Sequence, residues 1–324
     1  MTYPRWDPEG SAKEPTVRLL AWITSICMFS TAVVTQAEVV DVIIVAGQSN
    51  AVGAAHPDYV LEQSRPYCAP NEDVRYCFWV HEQVYTDGWT HLRPIGGYSF
   101  GVEMMMGYTF KEAAPNRNLA MMKYAYNGVS LACEWNPNGC TQNGTLQLFE
   151  GLKQWMNTYR IMIENEGDTC NFAGLAWIQG ESDMMAEWQA VMYKDLMTQF
   201  IDDIRVHANN PDMPVVMALV NPTASGFNWV DLIHEGMHEI AANDSKVATA
   251  TCRDLPLRSD NIHFAADSAI WLGGRLADSL MAMDLFNTTS APPPVPTCPG
   301  DFNGDGTVGA TDILLVINNW GICP

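Results

Sequence analysis

The chain has 324 residues, 48% of them hydrophobic, enough for one full-sized globular domain and a small appendage. Its formal net charge of -20 argues against nucleic acid as a partner, because phosphate binding needs clustered Lys and Arg. It also argues against docking on an anionic membrane surface, and it reads as a solvated acidic exterior.

At the N-terminus, Arg5, Lys13 and Arg18 precede an apolar stretch from Leu19 to Val34, and Thr35-Gln36-Ala37 follows with small residues at both cleavage-specifying positions. This is the pattern of an export signal, and the stretch is short for a membrane span. Residues 1–37 are therefore expected to be a signal peptide, and the mature protein to be secreted or held outside the cytoplasm at the cell surface. An uncleaved N-terminal anchor is the competing reading.

The run from Val39 to Ala46 is apolar apart from Asp41 and reads as a buried strand of a parallel sheet. Leu119 to Ala125, Phe172 to Ile178, Met213 to Val220 and Lys246 to Thr251 read as four more. Between them, Glu187 to His207 carries Val191, Met192, Leu196, Phe200, Ile201 and Ile204 at helical spacing. Trp229 to Ala242 and Ala265 to Leu285 are further helices. Strands alternating with helices predict a three-layer α/β/α domain over residues 38–286, with a mainly parallel five-stranded sheet. Residues 287–297 are rich in Thr, Ser and Pro and form an extended linker. Residues 298–324 form a separate small unit.

Nine cysteines are present. Cys27 lies in the signal. The remaining even set in an exported chain suggests disulfides, and sequence proximity suggests 68–77, 133–140 and 298–323, leaving 170–252. A zinc site is the alternative, but no CxxC pair occurs.

Three motifs carry chemistry. Gly47-Gln48-Ser49-Asn50 follows the first strand, at the strand end where α/β sheets bind ligands. Trp177-Ile178-Gln179-Gly180-Glu181-Ser182-Asp183 ends another strand, and a side-chain amide there can donate to an oxyanion, a contact worth roughly 3 kcal/mol. Asp260-Asn261-Ile262-His263 precedes the last helix, and one loop can present a base together with the carboxylate that orients it. Each motif also has a plainer reading: a turn serine, a strand-to-helix turn capped by Ser182 or Asp183, and a surface histidine.

Together, and in this order, the motifs resemble the SGNH hydrolase superfamily. The likeness is greatest to the sialate O-acetylesterase domain and to the acetyl xylan esterases of carbohydrate esterase family six. Two more blocks join it: Gly96-Gly97-Tyr98-Ser99-Phe100-Gly101, and Asn127-Gly128-Val129-Ser130-Leu131-Ala132 with Trp135. The resemblance covers roughly Val39 to Leu285 and implies a flavodoxin-like fold. It implies Ser49 as nucleophile, His263 as base and Asp260 as its orienting acid. The oxyanion would be held by the Ser49 N–H, a glycine N–H, with Gly97 favoured over Gly96, and Gln179. Glu181 would support its loop. The implied reaction removes acetyl groups from sugar hydroxyls through an acetyl-serine, with no cofactor for catalysis. Xylan, pectin-type polymers and sialic acid are all open as substrates. Trp135 and Trp89 are candidates to stack on a sugar, or else core residues.

Other readings compete. His234-Glu235-Gly236-Met237-His238 fits the HExxH pattern of zinc proteases. A non-catalytic carbohydrate-binding or scaffold protein on the same fold is a second alternative. In the tail, Asp301, Asn303, Asp305, Thr307 and Asp312 follow the spacing of an EF-hand-like calcium loop, and Gly306 gives the sharp turn. The acid at the last position resembles a dockerin repeat. A complete dockerin has two repeats and this chain has one. The tail is expected to bind structural calcium and to serve as a surface-attachment tag or to meet a cohesin-like partner.

Overall fold

The computed structural model describes residues 37–286, apart from 81–83, 96–98 and 140–145, together with Gly309. Strand β1 (Val39–Gly47) runs into a single-turn helix, α1 (Ser49–Val52). Then come β2 (Asn71–Val80), β3 (Thr90–Leu92) and α2 (Glu103–Ala113). They are followed by β4 (Asn118–Ala125), α3 (Leu148–Asn165), β5 (Thr169–Ile178) and α4 (Glu187–Ala208). The last elements are β6 (Val215–Leu219), α5 (Val230–Asn243), β7 (Val247–Thr251) and α6 (Ala266–Ala282). Among the described residues no helix is long and apolar enough to cross a membrane.

The strands form a 7-stranded sheet in the order β3-β2-β4-β1-β5-β6-β7. Every pairing is parallel except β2 with β3. β1 is central because its Val and Ile side chains can be buried on both faces, as a parallel sheet covered by helices requires. The polar exception, Asp41, is fully buried and is held by Arg117 Nη1 at 2.9 Å and Asn171 Nδ2 at 2.7 Å. α2 and α6 pack together on one face, where Gly174 of β5 meets Leu280 and Leu285. Trp177, on the other face of that strand, lies 4.7 Å from the Phe200 ring of α4. Chain order reverses at β1, whose neighbours are β4 and β5, and this reversal opens a crevice at the carboxyl ends of the strands.

Five expected strands form, and the five-stranded count is corrected to seven. β2 begins with Asn71, Glu72 and Asp73, so its apolar run is too short to stand out, and β3 is below the length at which alternation is readable. α6 stops at Ala282, short of the expected Leu285.

The cysteine pairing is corrected as well. Cys68, Cys77, Cys170 and Cys252 are buried free thiols. Cys68 donates to Ser64 O in a turn near Asp267 of α6, whereas Cys77 lies in β2 against Trp155 of α3. Proximity in sequence therefore puts the two near helices of opposite faces. Cys170 is at the start of β5 and Cys252 just past the end of β7. The register of the strands separates them by about 30 Å, at about 3.3 Å per residue, far beyond disulfide reach. Cys133 is disulfide-bonded, and its expected partner Cys140 lies outside the described residues. So do the signal segment, the linker, Cys298, Cys323 and the calcium ligands Asp301, Asn303, Asp305, Thr307 and Asp312.

Gly47 closes β1 with φ +142°, and a Cβ there would lie 2.0 Å from Ile178 O. Only glycine lets β1 and β5 end this close together. Gly47→Ala is expected to cost at least about 3 kcal/mol in denaturant unfolding and to remove most activity. A variant as stable and as active as the parent contradicts this reading of the strand ends.

Candidate active site

Each parallel strand from β4 to β7 delivers residues to one crevice. Ser49 follows β1, Asn127 and Gly128 follow β4, Glu181 and Ser182 follow β5, Phe227 follows β6, and Arg258 and His263 follow β7. All line a cavity of about 820 Å³, within the range of ligand sites. Apolar side chains including Val52, Val84, Ile95 and Met185 cover part of its wall.

Ser49 opens α1, so its own N–H has no partner within the helix. Its Oγ lies 2.9 Å from His263 Nε2. His263 Nδ1 lies 2.9 Å from Asp260 Oδ2. Asp260 Oδ1 accepts the backbone N–H groups of Ile262 and His263, each at 2.9 Å. Burial pushes the Asp260 carboxyl up, but the His263 N–H, its imidazole and the Ile262 N–H outweigh this and hold it at about 2. The carboxylate is thus ionised throughout the neutral range, as the orienter of an imidazole must be. The loop is shaped by a bridge between Leu257 and Phe264, by Arg258 N–H donating to His263 O at 2.7 Å, and by Asn261 at φ +58°, a conformation Asn tolerates.

Asn50 ties this loop to the rest. Its Nδ2 donates to Glu181 Oε1 at 2.6 Å and to Ile262 O at 3.2 Å, and its Oδ1 accepts Phe264 N–H at 3.0 Å. A second buried carboxylate, Asp183, accepts Leu131 N–H at 2.8 Å and Ala132 N–H at 3.0 Å, fixing the segment after β4.

The structure corrects the expectation for Gln179. Its side chain is fully buried and does not line the cavity. Its Nε2 faces Asp183 Oδ2 at 2.6 Å, Gln48 Oε1 at 3.1 Å and Val129 O at 3.2 Å, so its two hydrogens are already committed. Gln179 braces the loops. Gly97 and Gly96 lie outside the described residues. Gly128, at φ +67°, is the described glycine on the wall after β4. Trp135 is fully buried, edge-on to Trp177, and the ring of Trp89 packs on Tyr159, so both serve the core. In the HExxH segment, His234 is buried with Nε2 2.9 Å from Val220 O, and His238 lies 3.4 Å from Thr249 Oγ1. Among the described residues no group of three or more His, Cys, Asp or Glu side chains is arranged to hold a metal. The sequence motifs gave Asn50 no role and Asp183 only a capping one. The available signal was an amide directly after the nucleophile candidate and a second acid two residues after Glu181.

Residues 39–282 match the family model described as carbohydrate esterase, sialic acid-specific acetylesterase, and the chain belongs to that family. That family is one of carbohydrate esterases, a class of carboxylic ester hydrolases. A probable carbohydrate esterase of Arabidopsis thaliana is 27% identical over 150 residues, 44% of this chain. The matched stretch spans 54% of that relative's length. The crystal structure of an Arabidopsis thaliana protein superposes with a TM-score of 0.57 at 22% identity, covering 75% of this chain and 98% of that one. NanS gives 0.54 at 14%, covering 78% and 99%. A carbohydrate acetylesterase from Xanthomonas citri gives 0.52 at 15%, covering 75% and 56%. At these identities the three structures speak to the fold.

Burial raises the Glu181 carboxyl to about 7, against the opposing bonds from backbone N–H and Asn50, and burial raises Asp183 to about 6. Between about pH 4.5 and 7 the folded chain holds protons at these sites that the unfolded chain releases, so stability falls as pH rises through that window. Glu181→Gln is expected to flatten that part of a denaturation-midpoint profile. An unchanged slope contradicts the burial of an ionisable group there.

Proposed function

We propose that the chain hydrolyses O-acetyl esters of sugars through an acetyl-serine at Ser49. The supporting observation is the continuous line Asp260, His263, Ser49, with successive contacts of 2.9 Å. Ser49 Oγ attacks the acetyl carbonyl carbon while His263 Nε2 takes its proton. Charge builds on the carbonyl oxygen, toward which the Ser49 and Gly128 N–H groups are the proposed donors. The C–O bond to the sugar breaks as His263 returns the proton to the leaving sugar oxygen. Water then gives a proton to His263 and adds to the acetyl carbon. Acetate departs, and Ser49 recovers its proton.

Among sugars, an acidic one such as sialic acid is favoured over neutral xylan. Arg258 lines the cavity from the same loop as His263 and has no ion-pair partner among the described residues. In a chain of net charge -20 such a guanidinium suits a sugar carboxylate. Export rests on the N-terminal apolar segment. Calcium in the tail, and a surface or cohesin-like partner for it, rest on the spacing of Asp301 to Asp312 alone.

Acetate release from O-acetylated sialic acid, acetylated xylan and acetylated pectin tests both levels. The expectation is measurable release, fastest from the sialic acid, and loss of at least about 1,000-fold in Ser49→Ala. Activity surviving in Ser49→Ala removes the mechanism, and preference for xylan removes the acidic-sugar reading.

A further inference from the structure

Beside the nucleophile's turn lies a buried ion pair that takes no part in the ester chemistry. Lys123 of β4 and Glu103, the first residue of α2, are both fully buried, with Nζ and Oε2 2.6 Å apart. Two backbone groups join the cluster, and the fully buried Tyr76 lies against Glu103. Lys123 Nζ donates to Val52 O at 3.0 Å, and Glu103 Oε1 accepts Gly101 N–H at 3.0 Å. Val52 is the last residue of α1, and Ser49 is the first. Just beyond, Ala55 and Phe100 exchange backbone hydrogen bonds of 3.2 and 2.9 Å. The approach is tight. A Cβ on Gly101 would lie 3.1 Å from Lys123 Nζ, and one on Gly53 would lie 2.5 Å from Phe100 O.

Stability does not account for this pair. Replacing a buried ion pair with apolar residues of similar volume is often neutral or stabilising. A charged donor supplies direction, which an apolar side chain does not. α1 is a single turn, and a helix of that length does not hold itself in place. We propose that Lys123, oriented by Glu103, is a positioning residue that fixes the Val52 carbonyl and so sets Ser49 Oγ against His263 Nε2. It touches no reacting atom and acts through the backbone of α1. The inference rests on Ser49 being the nucleophile.

The test is the double variant Lys123→Met/Glu103→Gln. It keeps an acceptor for the Gly101 N–H, removes both charges of the pair and removes the donor to Val52 O. Turnover of p-nitrophenyl acetate is measured per site titrated with a fluorophosphonate, beside KM and the melting temperature. The expectation is a kcat lower by about tenfold to a hundredfold, with KM within about twofold of the parent. The melting temperature is expected to change little. A parental kcat per titrated site overturns the proposal. Should this variant not fold, Glu103→Asp keeps the charges but draws Lys123 away from Val52. The same loss of kcat at held KM is then expected, and a parental kcat overturns the proposal. Ser49→Ala run alongside separates the two levels. If it stays active, the nucleophile assignment fails. If it is inactive while the pair variants turn over normally, only the positioning role fails.

Discussion

Everything at the crevice depends on one side chain, Asn50, which reaches three segments at once. Its amide meets the loop after β5 at Glu181 and the loop after β7 at Ile262 and Phe264, and its backbone carries it beside Ser49. Ile262 and Phe264 flank His263, so the imidazole is held on both sides by the neighbour of the hydroxyl it faces. Two groups far apart in the chain keep a 2.9 Å contact because a single rigid amide spans them. Fixing reacting groups within a fraction of an ångström is what makes such a contact productive.

Holding Asn50 in this way has a thermodynamic consequence. Its partner Glu181 is a carboxylate out of water, and Asp183 close by is another. Both are raised by burial, to about 7 and about 6. Hydrogen bonds from Asn50, Gln179 and the 131–132 backbone offset part of that desolvation. The network destabilises the fold toward neutral pH while specifying one arrangement of loops. Asp260 shows the opposite balance: three donors meet a partly exposed acid, and its ionised form is favoured. The two kinds of acid match two tasks, bracing and orienting.

How much of this was legible in the sequence follows from what each segment does. β1, β4 and β5 are buried on both faces, so they appear as apolar runs, and Gly47 and Ser49 stand at the end of β1, while Asp260 and His263 stand in the loop that leads into α6. β2 hides its first half behind charges because it lies near the sheet edge, next to the short β3. The cysteines misled because nearness in chain order says nothing about which face or which end of a sheet a thiol occupies. Gln179 misled for a related reason. A strand-end amide is equally suited to an oxyanion or to a buried bracing network, and only the positions of Gln48, Val129 and Asp183 decide between them. Asn50 and Lys123 act across long sequence separations that no local pattern records.

The clamp is tested most directly by the reaction of Ser49 with a fluorophosphonate in Asn50→Ala, compared with the parent at a temperature where both are folded by circular dichroism. The reagent needs the activated hydroxyl and little else of the cavity. Loss of the three contacts should slow the labelling rate by about a hundredfold. Labelling at the parental rate in a folded Asn50→Ala protein would contradict the account.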